Sequence, residues 1–207
     1  MLRRSLLLLL ACAVAAVATA CGGGEETADT RTPGGTATAP AADAPEPVGD
    51  WSWETVASDD FPREDGFAYL VDVRASTHDA SAGSPAFDRV VLELEGDPGP
   101  SWRVAPEDPP IVEDPSGRTV EVAGDAFVRV TLHPASGRDA TGDEAVLRYE
   151  GPDRIGVGGR VVTELVQVTD HHGALAWVIG LARQAPFAVA LLDDPPRLVV
   201  DVVEESG

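Results

Sequence analysis

The sequence predicts an all-β protein, an antiparallel β-sandwich, and three observations carry that prediction. Over residues 61–207, glycine and proline punctuate the chain every ten to fifteen residues. Between them lie short runs rich in β-branched residues, many alternating with period two. No window longer than ten residues carries an apolar stripe at helical spacing. Alternation puts every second side chain on one side of a sheet. Many short strands separated by turn signals then need a second sheet against which to bury those sides.

In order, the expected strands are 67–74, 89–95, 101–104, 119–122, 126–133, 145–149, 160–169, 175–181, 187–192 and 197–203. In the third-last, Leu175, Trp177, Ile179 and Leu181 share a face. In the next, Phe187, Val189 and Leu191 do so, and in the last Leu198, Val200 and Val202. The final two strands flank Asp193-Asp194-Pro195-Pro196. Neither proline can donate a ladder hydrogen bond, so this stretch turns, and an antiparallel hairpin with a four-residue loop follows. A proline after Asp194 biases that residue toward an extended conformation. Gly156-Val157-Gly158-Gly159 lacks the lysine and following helix of a phosphate loop and reads as a connection between strands.

Charge narrows the function. The chain has 207 residues with 35 acids against 15 bases, a formal net charge of −20, and every base is arginine. Such a chain lacks the cationic face that sequence-independent nucleic-acid binding needs, and it is repelled by anionic lipid. Its two cysteines, Cys12 and Cys21, precede the domain, so residues 61–207 can hold neither a disulfide framework nor a cysteine metal site. Those residues carry 26 acids and 12 arginines, an excess that favours solubility.

The N-terminus reads as an address. Arg3 and Arg4 precede twelve unbroken apolar residues, 6–17. As a helix these reach roughly 18 Å, short of a hydrocarbon core of about 30 Å, so residues 1–20 are expected to be a signal peptide. The following Ala18-Thr19-Ala20-Cys21 resembles a bacterial lipobox, with Ala18 where Leu or Val is commoner. The resemblance implies that Cys21 becomes the mature N-terminus and carries a diacylglyceryl (palmitate-type) anchor, two chains giving the membrane residence that one does not. The same residues also fit an ordinary secretory signal cut after Ala20.

Residues 21–60 are then expected to be the lipidated cysteine and a disordered acidic tether. They are rich in Gly, Ala, Thr, Pro and acids, with too little apolar surface to offset the entropy of ordering. About 38 such residues span roughly 35 Å as a coil and about 120 Å fully extended. Trp51 and Trp53 at the end of the tether either dock it on the domain or anchor a partner.

Several strands carry a second resemblance. Phe187-Ala188-Val189-Ala190-Leu191-Leu192 followed by Pro195-Pro196-Arg197-Leu198-Val199-Val200-Asp201-Val202 is similar to the closing signature of AMIN and AMIN-like domains. Phe87-Asp88-Arg89-Val90-Val91-Leu92-Glu93-Leu94 resembles the opening strand of that family. Residues 161–169 and 176–181 resemble the intervening strands of actinobacterial AMIN-like lipoproteins. The likeness spans roughly residues 67–204, and the excursions 106–117 and 138–144 depart from the compact pattern. It implies a β-sandwich without catalytic residues or cofactor. The implied setting is extracytoplasmic, with the chain lipid-anchored to the cell membrane. The implied partner is peptidoglycan, another wall glycan, or an envelope protein such as an amidase or secretion component.

Three residues are the candidate ligand contacts: Arg89, Trp177 and Arg197. An arginine fork grips a carboxylate in bidentate fashion, and an exposed tryptophan stacks on sugar rings. The competing readings are structural. Alternation sets Arg197 and Asp201 on one face, where they can pair directly or through a neighbouring strand, and Trp177 sits in an apolar strand that suits a core. Asp170-His171-His172 supplies zinc-ligand types without zinc-site spacing and reads as a solvated turn. No Gly-x-Ser-x-Gly is present, and acids are too abundant for any one carboxylate pair to signal glycoside cleavage.

Overall fold

The computed structural model describes residues 46–204 apart from Pro98 and Asp143. All of these lie in one compact unit, Ala41–Gly207. The signal peptide, Cys21 and tether residues 22–45 fall outside the described residues.

Thirteen strands are described: β1 (Val56–Ala57), β2 (Ala68–His78), β3 (Phe87–Glu95), β4 (Ser101–Glu107), β5 (Ala126–His133), β6 (Ala135–Ser136), β7 (Arg138–Asp139), β8 (Val146–Leu147), β9 (Arg154–Gly156), β10 (Val162–His171), β11 (Ala174–Leu181), β12 (Phe187–Leu192) and β13 (Arg197–Val203). One sheet runs β1-β4-β5-β11-β10-β9 and the other β12-β13-β3-β2-β6, with β7 and β8 forming a small ribbon. Every pairing is antiparallel except β2 with β6. No helix occurs among the described residues.

The period-two pattern explains the layering. Leu70, Val90, Leu92, Leu94, Leu198, Val200 and Val202 from one sheet share a buried core with Val128, Val130, Leu132, Leu165, Leu175, Trp177 and Ile179 from the other. This is the expected sandwich. The hairpin is also as expected: Leu192 pairs with Arg197 across a four-residue loop. Asp194 itself departs from expectation. Its φ is +55° rather than extended, because so short a reversal needs a left-handed residue and aspartate tolerates that region better than most.

Strand β11 is buried on both faces. Ala176 and Val178 point away from the main core into a second cluster with Ile111, Phe127, Val166 and Val168. The covering segment is 108–122, which supplies Ile111, Val120 and Val122 to that cluster. Residues 119–122, expected as a strand, form no strand there. Val112 and Thr119 make a lone bridge, and Val120 N donates to Ile111 O at 2.8 Å. Pro109, Pro110 and Pro115 cannot donate to a ladder, so the segment folds as a cover and not as a sheet strand.

The expected tether boundary at residue 60 also shifts. Residues 46–60 lie on the fold: β1 pairs with β4, and Ser52 exchanges two 2.9 Å backbone bonds with Phe187 at the edge strand β12. Trp53 stands edge-on to Phe187 at 6.0 Å, and Trp51 is tilted against Phe87 at 6.4 Å. Segment-averaged composition hides this docking, because two tryptophans bring a large apolar area into a stretch otherwise too polar to order.

Strand β10 begins later than the apolar run does. Val161 N and Val162 N both donate to the carboxylate of Asp88, at 2.7 and 2.9 Å, and Thr77 Oγ1 donates to its other oxygen at 2.9 Å. Asp88 has no exposed surface. Gly159 permits the approach, since a Cβ there would lie 2.5 Å from Asp88 Oδ2.

Candidate functional site

The three candidate contacts do not come together. Arg89 lies opposite Asp201 in the β3–β13 register, and the two form a bidentate pair with both N–O distances 2.7 Å. Asp201 is fully buried and also accepts a bond from Val48 N at 2.8 Å, while Arg89 Nη2 donates to Glu46 O at 2.8 Å. The fork of Arg89 therefore clamps the N-terminal segment onto the outer face of the five-stranded sheet. A direct Arg197–Asp201 pair does not form. Arg197 instead donates to the carbonyls of Pro195 (3.0 Å) and Asp193 (3.4 Å), holding its own hairpin loop. Trp177 is 1% exposed and meets Tyr149 edge-on at 5.7 Å. It presents no face for a sugar ring, and its indole Nε1 is buried without a hydrogen-bond partner.

The histidine pair is a turn. His172 (φ +51°) and Gly173 (φ +77°) make the two-residue reversal between β10 and β11, the arrangement favoured in tight hairpins. The rings of His171 and His172 stack at 3.8 Å. Asp170 engages Ser136 Oγ (2.7 Å) and Gly137 N (3.2 Å). Among the described residues no three His, Cys, Asp or Glu side chains are placed to share a metal ion.

A concavity lies elsewhere, beside β10. Strand β9 is three residues long and pairs only with residues 164–166. Immediately beyond, the β10–β11 register slips: Gln167 faces Trp177, but Thr169 faces Ala176. This bulge at Val168 reverses which side chains point inward. It is what carries Asp170 across to Ser136 of the other sheet, because a bulge re-aims the residues that follow it. Past residue 166 two loops take over the edge: Gln167 N donates to Asp153 O at 2.8 Å, Asp114 N donates to Val168 O at 2.9 Å, and Asp114 forms a parallel bridge with Thr169.

A cleft of about 420 Å³ opens there, bounded by the loops carrying Asp114 and Asp153 and by Arg138 and Leu147 of the β7–β8 ribbon. One wall is shaped by Tyr149, whose hydroxyl donates to Pro152 O at 2.9 Å. Glycine is required at 151, since a Cβ would fall on that phenol. Burial first, and then the carboxylates of Asp72 and Asp153, push the Tyr149 phenol up to about 12. At neutral pH it is a protonated donor and a structural post.

The lining is acidic. Glu113, Asp114, Glu150, Asp153 and Asp170 stand against a single cation, Arg138. Glu113 is engaged by Ser116 and Arg118, which hold its carboxyl below the usual range, the serine hydroxyl contributing most. Asp114, Glu150 and Asp153 make no side-chain ion pair among the described residues. No serine, cysteine or histidine lines the cleft, so it offers no nucleophile–base arrangement of the usual kind. Little in the residue order signals this site, apart from the turn residues Gly151-Pro152-Asp153 and the apolar pair Val146-Leu147 inside a polar stretch.

Fold and cleft together describe an all-β module with an acidic surface cleft. The chain belongs to the AMIN-like domain family, whose model matches residues 68–204, about two thirds of its length. Domains of this family are generally non-catalytic binding modules, and membership points to an envelope-associated role. No curated protein and no solved structure matches the chain.

Proposed function

We propose that this protein is a non-catalytic binding module of the cell envelope, exported by its N-terminal signal and held at the outer face of the cytoplasmic membrane through an acylated Cys21. Its ligand is peptidoglycan or another wall component. Membership of the AMIN-like family carries this reading. The test is co-sedimentation of the full chain with purified peptidoglycan at moderate salt. Retention above that of an equally acidic control protein is expected, and equal recovery in the supernatant contradicts it. Mass spectrometry tests the anchor separately: a diacylglyceryl adduct on Cys21 is expected, and an unmodified, freely diffusing product contradicts it.

A second reading, docking of an envelope protein, is favoured by Val146 and Leu147, which expose apolar surface on the β7–β8 ribbon beside the cleft. Crosslinking in cells separates the two readings. One dominant protein partner without glycan retention supports the second.

A further inference from the structure

Three of the four edges of the two large sheets are blunted. Strands β1 and β9 are two and three residues long, and β12 gives both main-chain groups of Phe187 to Ser52. The fourth edge is different. Strand β6 pairs with β2 at Ala68 and Tyr69 alone, and β2 runs on to His78. Long edges left open are a template for pairing with another strand.

Register decides which groups of β2 are open. Leu94 N donates to Pro196 O, and Glu204 N donates to Ala86 O. The even-numbered residues of β3 therefore turn their main-chain groups to β13, and the odd-numbered ones turn theirs to β2. Opposite those odd-numbered residues stand Asp72, Arg74, Ser76 and His78. Val73, Ala75 and Thr77 consequently turn N–H and C=O away from the sheet. None of these groups has a hydrogen-bond partner among the described residues. Strand β2 has no proline, and its arginine is already neutralised, with Arg74 Nη1 at 2.8 Å from both Asp72 and Glu93.

The edge fits a copy of itself. An antiparallel mate must set outward-turned residues opposite outward-turned residues. Two copies of β2 do so about a twofold axis at Ala75, which puts Val73 of each copy opposite Thr77 of the other. The three residue pairs exchange two bonds each, six in all. On the outer face the same register sets Arg74 opposite Ser76 and Asp72 opposite His78, so no like charges stand directly opposite. Strand β6 does not obstruct it. Opposite Ala68 and Tyr69 of one copy come Ala82 and Ser81 of the other, where β2 has ended and Ser81 and Ser84 close a turn.

We propose that two copies of this chain pair along β2, antiparallel and centred on Ala75, joining their five-stranded sheets into one continuous sheet. The inference goes beyond both readings of the ligand and depends on neither.

The test is sedimentation velocity of the full chain from about 1 to about 200 µM, with hydrogen exchange at both ends of the series. A monomer–dimer equilibrium is expected. The amides of Val73, Ala75 and Thr77 should exchange about tenfold more slowly in the concentrated sample, while that of Leu191 on β12 should not change. Ala75→Pro removes an amide that β3 does not use, and an edge tolerates proline there, so dimerisation should weaken about thirtyfold with the strand content kept. Ser76→Arg sets an arginine opposite Arg74 and should weaken dimerisation about tenfold, whereas Ser76→Glu should strengthen it about threefold. Both shifts run against the trend that the chain's net negative charge would impose.

A monomer throughout the series overturns the inference. A dimer unchanged by Ala75→Pro and by Ser76→Arg rests on another surface and overturns it too. Full protection of the three amides in the dilute monomer means that the chain's own residues cover the edge, with the same consequence. Protection gained only on adding envelope extract to a monomer assigns the edge to a different protein and likewise contradicts the pairing.

Discussion

Two regions of this sandwich meet the same physical problem and solve it oppositely. The outer face of the five-stranded sheet carries a buried aspartate and an arginine, and residues 46–53 cover it, with Val48 N on Asp201, Glu46 O on Arg89 and Trp51 on Phe87. The cleft beside β10 forms where β9 stops at residue 166, the strand bulges at Val168, and loops take over the edge at Gln167 and at the Asp114–Thr169 bridge. In the first region the polar groups complete one another. In the second, Asp114, Glu150 and Asp153 make no ion pair among the described residues. Of the three candidate contacts Arg89 serves the covered face, Arg197 its own hairpin and Trp177 the core, and the cleft is built from residues that look ordinary.

The largest effect should come from opening the closed region. Asp201→Ala leaves Arg89 and Val48 N without their acceptor, and breaking one side of a buried pair costs about 3–5 kcal/mol. Urea unfolding measures the loss. Hydrogen exchange should show the Val48 amide losing protection first, and unchanged protection there would mean the clamp does not hold the segment.

Trp177→Ala should cost a similar amount, about 3–5 kcal/mol, because it empties the space between the sheets. Ligand retention per folded molecule should stay the same. If retention falls while stability does not, Trp177 is a contact residue and its burial is wrong.

A smaller effect concerns the wall of the cleft. The folded state holds the Tyr149 proton up to about 12, against an ordinary value of 10.0. Between those limits the folded state binds more proton than the unfolded state. Its contribution is therefore complete below about pH 10 and is lost as pH rises toward 12. Burial also raises the Tyr69 phenol, so absorbance at 295 nm should show both tyrosines titrating late, and Tyr149→Phe should remove the later step. The smallest effect is expected for Arg197→Ala. Its bonds reach only its own loop, and the change in stability should stay within about 0.5 kcal/mol in thermal or urea unfolding.

Legibility followed physical range. Alternation is a local signal, so strands β5, β12 and β13 and the inward faces of β11 and β13 could be read directly from residue order. The Arg89–Asp201 pair joins residues far apart in sequence, and alternation alone places Asp201 on the same face as Arg197. Only the strand order decides which arginine it meets. The docking of residues 46–60 escaped for a related reason: what orders them is a pair of tryptophans meeting phenylalanines on distant strands. The cleft was the least legible feature. It depends on a one-residue register slip and on how far β9 extends, and neither leaves a residue pattern.

The account's central claim is that ligand is received in the cleft beside β10 and not on the covered sheet face. Backbone amide shifts of the 15N-labelled chain, titrated with soluble peptidoglycan fragments, test it most directly. Perturbations gathered at Arg138, residues 147–153 and residues 167–170 are the predicted result. Perturbations centred on Arg89, Arg197 and residues 46–53 would contradict it.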